Sequence, residues 1–186
     1  MDNHGSRQLS NSTRISVVTN SEQLLHAYAV RSICFLEETG LPANFVFDGN
    51  DFQSTHIIVY AEEEPIGAAR IRWFNDFAKI ERTAFRKAHR NPRLLKLCAD
   101  FIFDHAAQKG YSKALTLAKP QFAAVWIRLL GFRRMSSEAT TLAADGEQYY
   151  ELIKDIVAPS DAISIHTDPN VLLQIEGSWR FGGASA

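Results

Sequence analysis

The stretch AKIERTAFRKAHRNPRLLKLCADFIFDHAAQK, residues 78–109, decides the fold. Its first third (79–85, KIERTAF) predicts a buried strand. Its last half predicts an amphipathic helix, with Leu94, Leu95, Leu97, Cys98, Phe101, Ile102, His105 and Ala106 on one side. Asn91 is a good cap and Pro92 suits a first helical turn. Lys109-Gly110 supplies the stop, with glycine as C-cap. Between strand and helix, Arg86 to Arg93 is basic. A strand that runs through a cationic turn into a helix N-terminus is a place to hold an anion. Backbone N–H groups point outward there, and the helix dipole is positive.

Working outward, residues 55–61 (THIIVYA) and 66–74 (IGAARIRWF) predict a hairpin around the turn at 62–65. Asn75-Asp76 turns the chain into the strand at 79–85, which completes a meander. After the helix, 112–118 (SKALTLA) predicts a further strand, and 122–130 a short helix closed by Gly131. Residues 132–135 and 148–153 read as a last antiparallel pair. Towards the N-terminus, 14–18 is a short strand. A helix follows, capped by Asn20 with Gln23 three positions on and running to Phe35, and 37–54 reads as loop. A helix that crosses from one strand to the next permits a parallel pair. The expected class is therefore α/β: an antiparallel meander plus a parallel strand in one mixed sheet, with helices on both faces. The expected domain is 14–157. It is preceded by a flexible N-terminus (1–13) and followed by a C-terminal extension (158–186) that packs on the domain or on a partner.

The chain has 186 residues, 46% hydrophobic and 22% charged, which fits one globular domain with a sizeable core and excludes wholesale disorder. A net charge of −1 argues against generic nucleic-acid binding. Cys34 and Cys98 both fall in helical patterns and read as buried thiols in a reducing compartment. No run of about 18 apolar residues is present, so no membrane span is expected. The N-terminal segment has no apolar core for a secretory signal, and the cytoplasm is the expected location. The six histidines have no metal-site spacing, so no metal is expected.

Five segments, in order, resemble the GNAT superfamily of acyl-CoA-dependent N-acyltransferases. VRSICFLEETGLP (30–42) resembles a first-helix segment of one branch, and FDGNDFQSTHIIVY (47–60) the acidic loop before the second strand. PIGAARIRWF (65–74) is similar to the family's vGtaRir strand, and KIERTAFRKAHR (79–90) to its kieRvaVlpeyR strand and turn. VWIRLLGFRR (125–134) is similar to fYeklGFrr. The first two segments also resemble acyl-homoserine-lactone synthases and N-acyl amino acid synthases. The resemblance implies an N-acyltransferase that moves an acyl group from acetyl-CoA or a longer acyl-CoA, or from an acyl carrier protein, to an amine. By position it puts the pantetheine arm at Thr83, Ala84 and Phe85. It puts the pyrophosphate at Arg90, Asn91, Arg93, Leu94 and Leu95. The extension could complete an acceptor pocket or a homodimer contact.

Two departures matter. The family loop is Arg/Gln-x-x-Gly-x-Gly/Ala, and here Arg93 and Leu95 replace both small residues. Glycine lets backbone approach a phosphate closely, and Pro92 also removes an N–H. Arg93 could bind phosphate itself or could block the site. Trp126 stands where an acidic tyrosine is common, and an indole is no proton donor to a thiolate. Glu81 is the candidate catalytic base, with an ion pair to Arg70, Arg72 or Arg82 as the alternative. Arg31, Phe35, Asp48, Asp51 and Arg70 resemble the acceptor-handling set of the lactone-synthase branch, and Trp126 is counted with them. Asp48 and Asp51 could instead be turn-formers. Three functions remain open: acyl-CoA-dependent N-acyltransferase, a GNAT-like binding or regulatory module without catalysis, and an N-acyl amino acid or lactone synthase.

Overall fold

The meander and the crossover read from residues 55–118 form one sheet. A computed structural model describes residues 13–179 of the chain. Strand β1 (Thr13–Val17) leads to helix α1 (Ser21–Arg31), which continues without a break into a π-helical segment, Ser32–Glu37. A short helix α2 (Ala43–Val46) and a 3₁₀ turn (Gly49–Gln53) follow. The meander is β2 (Thr55–Ala61), β3 (Glu64–Trp73) and β4 (Ala78–Phe85). Helix α3 (Pro92–Gln108), β5 (Lys113–Ala118) and α4 (Pro120–Leu130) come next. Then come β6 (Arg133–Arg134), β7 (Thr140–Thr141), β8 (Gln148–Asp155) and α5 (Pro169–Leu172).

The sheet has eight strands in the order β1-β2-β3-β4-β5-β8-β6, with β7 paired to β8. Every pairing is antiparallel except β4 with β5. That pair is parallel because α3 carries the chain back over the sheet before β5 begins. Asn91 accepts the Leu94 N–H at 2.8 Å, which starts α3 with proline in its first turn. Gly131 ends α4 at φ +75°, a left-handed conformation that glycine adopts without strain.

Two cores flank the sheet. The larger joins Ile57, Val59, Ile71 and Ile80 to Cys98, Ile102, Phe103 and Ala106 of α3 and to Ala123 and Leu130 of α4. The smaller joins Ala27, Val30 and Cys34 to Ile58, Tyr60, Ala68 and Ala84. Both thiols are buried and free. A layer of helix on each face is the expected arrangement.

The structure differs from expectation in the region read as loop. The first helix runs two residues past Phe35, and residues 43–46 and 49–53 are helical turns. Asp48 and Asp51 form a reciprocal capping box around the second of these, so turn formation is part of their role. The expected flexible N-terminus lies outside the described residues, except Thr13, which begins β1.

The described part of the tail packs on the domain. Glu176 accepts from Thr55 at 2.8 Å and from Lys109 at 3.0 Å, and lies 2.9 Å from His105 Nε2. The Trp179 ring stacks on His105 with centroids 5.5 Å apart. Burial opposes ionisation of Glu176, but the His105 contact and the Lys109 charge overcome it and bring the carboxyl down to about 2.

Candidate functional site

The site begins where β4 and β5 part. Their pairing covers only Ala78↔Ala114, Lys79↔Leu115 and Ile80↔Thr116, and the Thr116 hydroxyl donates to the Ile80 carbonyl at 3.0 Å. Beyond Ile80 the β5-facing edge of β4 has no strand partner among the described residues. On its other edge β4 is bulged. Arg70 faces Glu81 but Ala68 faces Ala84, so one extra residue enters β4 between them. Arg82 takes it up at φ +51°, a strained value for a residue with a side chain. The bulge reverses the in–out alternation. Ile80 and Phe85 therefore share the α3 face although five positions separate them, while Ala84 joins the α1-side core.

The expected pantetheine residues therefore divide. Thr83 stands in a narrow apolar cleft with Ile80, Leu95, Cys98, Ala99, Ile102 and Trp126. Its hydroxyl is buried and has no hydrogen-bond partner among the described residues. Such a group ordinarily finds one, so a ligand is a natural partner. Ala84 and Phe85 point into the two cores and can offer only backbone. A Cβ on Gly67 would lie 2.4 Å from the Phe85 ring, so glycine there is what lets the ring lie across β3.

The turn after β4 is less open than its charge suggests. Arg86 bonds Glu64, with His89 3.8 Å from the same carboxylate. Arg90 bonds Glu38 and also donates from Nε to the Phe85 carbonyl at 2.8 Å. Lys96 pairs with Asp100 one helical turn on, at 2.7 Å. Arg93 is exposed and has no ion pair among the described residues, and the same holds for Lys87. The helix amides are largely committed too. Pro92 has none, Leu94 N–H goes to the Asn91 side chain, and Leu95 N–H goes to the Asn91 carbonyl at 3.2 Å. Among the described residues the Arg93 N–H and guanidinium are the uncommitted donors in the first turn of α3, with the Lys87 ammonium in the turn before it.

On the opposite face a buried ion network lies under the acidic loop. Arg31 is 0% and Arg70 1% exposed. Arg31 grips Asp51 with both terminal nitrogens, at 2.7 and 3.2 Å, and also bonds the Val46 carbonyl. Arg70 bonds Asp48 at 2.7 Å, Asp51 at 2.8 Å and Glu81 at 2.5 Å. Lys79 reaches Glu81 at 2.6 Å, and Arg82 lies 3.4 Å from Asp48. Burial alone would raise these carboxyls, but the guanidinium hydrogen bonds and charges prevail. They bring Asp48 down to about 2 and hold Asp51 below its ordinary value. Burial likewise opposes ionisation of Glu81, and Lys79 and Arg70 together hold it low.

Four of the expected acceptor residues, Arg31, Asp48, Asp51 and Arg70, are thus joined to Glu81. Arg31 and Arg70 are enclosed and can act only through their partners. Phe35 lies apart, packed against the α1-side core. Trp126 lies across the sheet in the apolar cleft. Sequence reasoning passed over Lys79, which shares a strand face with Glu81 at spacing two, a legible signal. It also passed over Arg82 as a site group, because the bulge that aims it has no glycine to mark it. Among the described residues, no cluster of His, Cys, Asp and Glu could hold a metal ion. None of the described helices is long and apolar enough to cross a membrane.

Comparison with known proteins bears on this geometry. Residues 23–132 match the family model described as acetyltransferase (GNAT) family. An uncharacterized N-acetyltransferase of Bacillus subtilis, YjcF, is 31% identical over 139 residues, covering 75% of this chain and 97% of that protein. A candidate N-acetyltransferase from Lactobacillus plantarum superposes with a TM-score of 0.71 at 23% identity, over 79% of this chain and all of that one. A GNAT family acetyltransferase from Elizabethkingia anophelis, solved with acetyl-CoA bound, has a TM-score of 0.61 at 14% identity, over 79% and 99% of the two chains.

Proposed function

The chain belongs to the acetyltransferase (GNAT) family, and we propose that it transfers a short acyl group from an acyl-coenzyme A thioester to a primary amine. One observation carries the reading: β4 bulges and parts from β5 at the same point, beside the unpartnered Thr83 hydroxyl. An extended pantetheine arm can take the free edge of β4 as a strand would, and Thr83 can bond one of its amides. The amine then attacks the thioester carbonyl from the α1 side, a C–N bond forms, the C–S bond breaks, and the proton lost from nitrogen passes to solvent, which later protonates the thiolate. A thiol of ordinary pKa, about 8.5, leaves as thiolate without a protein acid. The place of Trp126 is therefore no obstacle to the chemistry.

The acceptor side is lined by Arg72, Lys79 and Arg82, with Asp48 and Glu81. Counting Arg31, Arg70 and Asp51 beneath them, five cations meet three carboxylates. That excess supports an acceptor that carries an anionic group as well as its amine. Glu81 spends its oxygens on Arg70 and Lys79, which keeps it anionic but makes it a weak base. We assign it to positioning, with the amine entering in its neutral form. Glu81→Gln is then expected to keep kcat within about tenfold and to leave the rise of kcat/KM with pH in place. A fall of about a hundredfold or more, with loss of a limb from that profile, would make Glu81 the base instead.

Calorimetry with acetyl-CoA tests the function directly. Saturable heat is expected, together with thiol release once the right amine is supplied. No heat with either acetyl-CoA or a long acyl-CoA, from folded protein, overturns the reading. A second reading, a binding module without turnover, is favoured by the helix start at α3, where Asn91 and Pro92 leave a single free amide. That reading expects no saturable heat on acetyl-CoA addition and no turnover with any amine.

A further inference from the structure

The apolar cleft behind the splay has a shape that goes further. Its α3 wall is Leu95, Cys98, Ala99 and Ile102, one stripe at helical spacing whose middle pair is small. Its floor is Ile80 and Thr83, the residues on either side of the bulge that face α3. The exposed part of this lining is apolar, and the space left is too small to admit a water molecule. Trp126 of α4 completes the lining, braced edge-on against Phe132 with ring centroids 5.4 Å apart. The indole thus shares with two small α3 side chains, Cys98 and Ala99, an apolar cleft beside the β4–β5 splay.

We propose that Trp126 sets the acyl-chain length this protein accepts, by occupying apolar space beside the splay that a longer chain would need. The proposal rests on the acyl-transfer reading above, because it takes the thioester to lie at the β4–β5 splay. Apolar cavities opened by removing a large side chain stay dry and take up apolar ligands. Each methylene buried in such a space raises affinity about fourfold, the equivalent of ~0.8 kcal/mol. Two or three of them therefore give a change of about 15- to 60-fold.

The test compares acetyl-CoA with octanoyl-CoA by calorimetry, in the native protein and in Trp126→Ala. Native protein is expected to favour acetyl-CoA. In the variant the octanoyl-to-acetyl ratio of affinities is expected to rise at least tenfold. Trp126→Leu, which keeps more of the packing on Phe132, is expected to shift the ratio in the same direction by less, and it serves if the alanine variant does not fold. An unchanged ratio in a folded variant overturns the proposal, as does native protein that already binds octanoyl-CoA as tightly as acetyl-CoA. Binding of neither thioester by native protein removes the acyl-transfer reading and this proposal with it. Binding of acetyl-CoA with an unmoved ratio removes this proposal alone.

Discussion

Replacing Asp51 by asparagine is expected to lower the unfolding free energy by about 3–5 kcal/mol, although the two side chains have nearly the same shape. The reason lies in what remains behind. Asp51 is the carboxylate that pairs with Arg31, whose side chain is fully enclosed. It is also one of three carboxylates on Arg70, which is 1% exposed. An asparagine there turns an NH₂ group towards guanidinium donors and leaves a buried cation without compensating charge. Water cannot supply the difference. By contrast, breaking the exposed Lys96–Asp100 pair on α3 is expected to cost no more than about 0.5 kcal/mol. The loss should also depend on pH. The folded Asp51 carboxyl is held below its ordinary value. Its contribution is therefore complete above the unfolded pKa, near 3.9, and is lost as pH falls through the lower folded value. Urea titrations at pH 7 and in the acid range should show the gap between native and variant protein narrowing only below about pH 4. A loss under about 1 kcal/mol at pH 7 would mean that water reaches the network and that Arg31 is not enclosed in solution.

The same network marks the boundary of what the sequence could tell. Arg31, Asp48, Asp51, Arg70 and Glu81 could be named from their positions in the chain. A pair of Glu81 with Arg70 is legible as an alternative to catalysis, but nothing in the spacing joins Arg31, Asp48 and Asp51 to it, because strand register and the placement of the 3₁₀ turn bring them together. The basic turn is a second case. Lys96 with Asp100 is legible as a helical neighbour pair. The partners of Arg86 and Arg90 are Glu64 and Glu38, far off in sequence, so a solvated cationic cradle and a set of ion pairs look the same beforehand. The bulge at Arg82 had no glycine or asparagine to signal a positive φ. It is imposed by pairing with β3 on one side and by the loss of β5 on the other. By contrast, the meander, the Asn91-Pro92 helix start and the crossover to β5 rest on local rules of period and capping, and these survive in the fold.

Arg93→Ala is expected to move stability and ligand affinity in opposite directions. Arg93 lies in the first turn of α3, exposed and without an ion pair among the described residues. A cation there opposes the positive end of the helix dipole, and alanine is the better helix former. Unliganded protein should therefore gain a few tenths of a kcal/mol on substitution. Affinity for acetyl-CoA should fall by about 1–3 kcal/mol, roughly five- to 150-fold, because a charge-assisted hydrogen bond to phosphate is removed. The size of that loss follows from the other donors being committed. Asn91 holds the Leu94 amide, Pro92 has no amide, and Arg86 and Arg90 are tied to carboxylates. With only Lys87 beside it uncommitted in this turn among the described residues, the guanidinium carries a large share of the recognition of the pyrophosphate. Acetyl-pantetheine, which lacks the pyrophosphate, is the control: its affinity should be the same in native and variant protein. Raising the salt concentration should weaken acetyl-CoA binding in native protein more than in the variant. A gain in acetyl-CoA affinity on substitution would mean that Arg93 obstructs the place where glycine stands in the family pattern. The α3 start would then belong to a protein that has left coenzyme A chemistry behind.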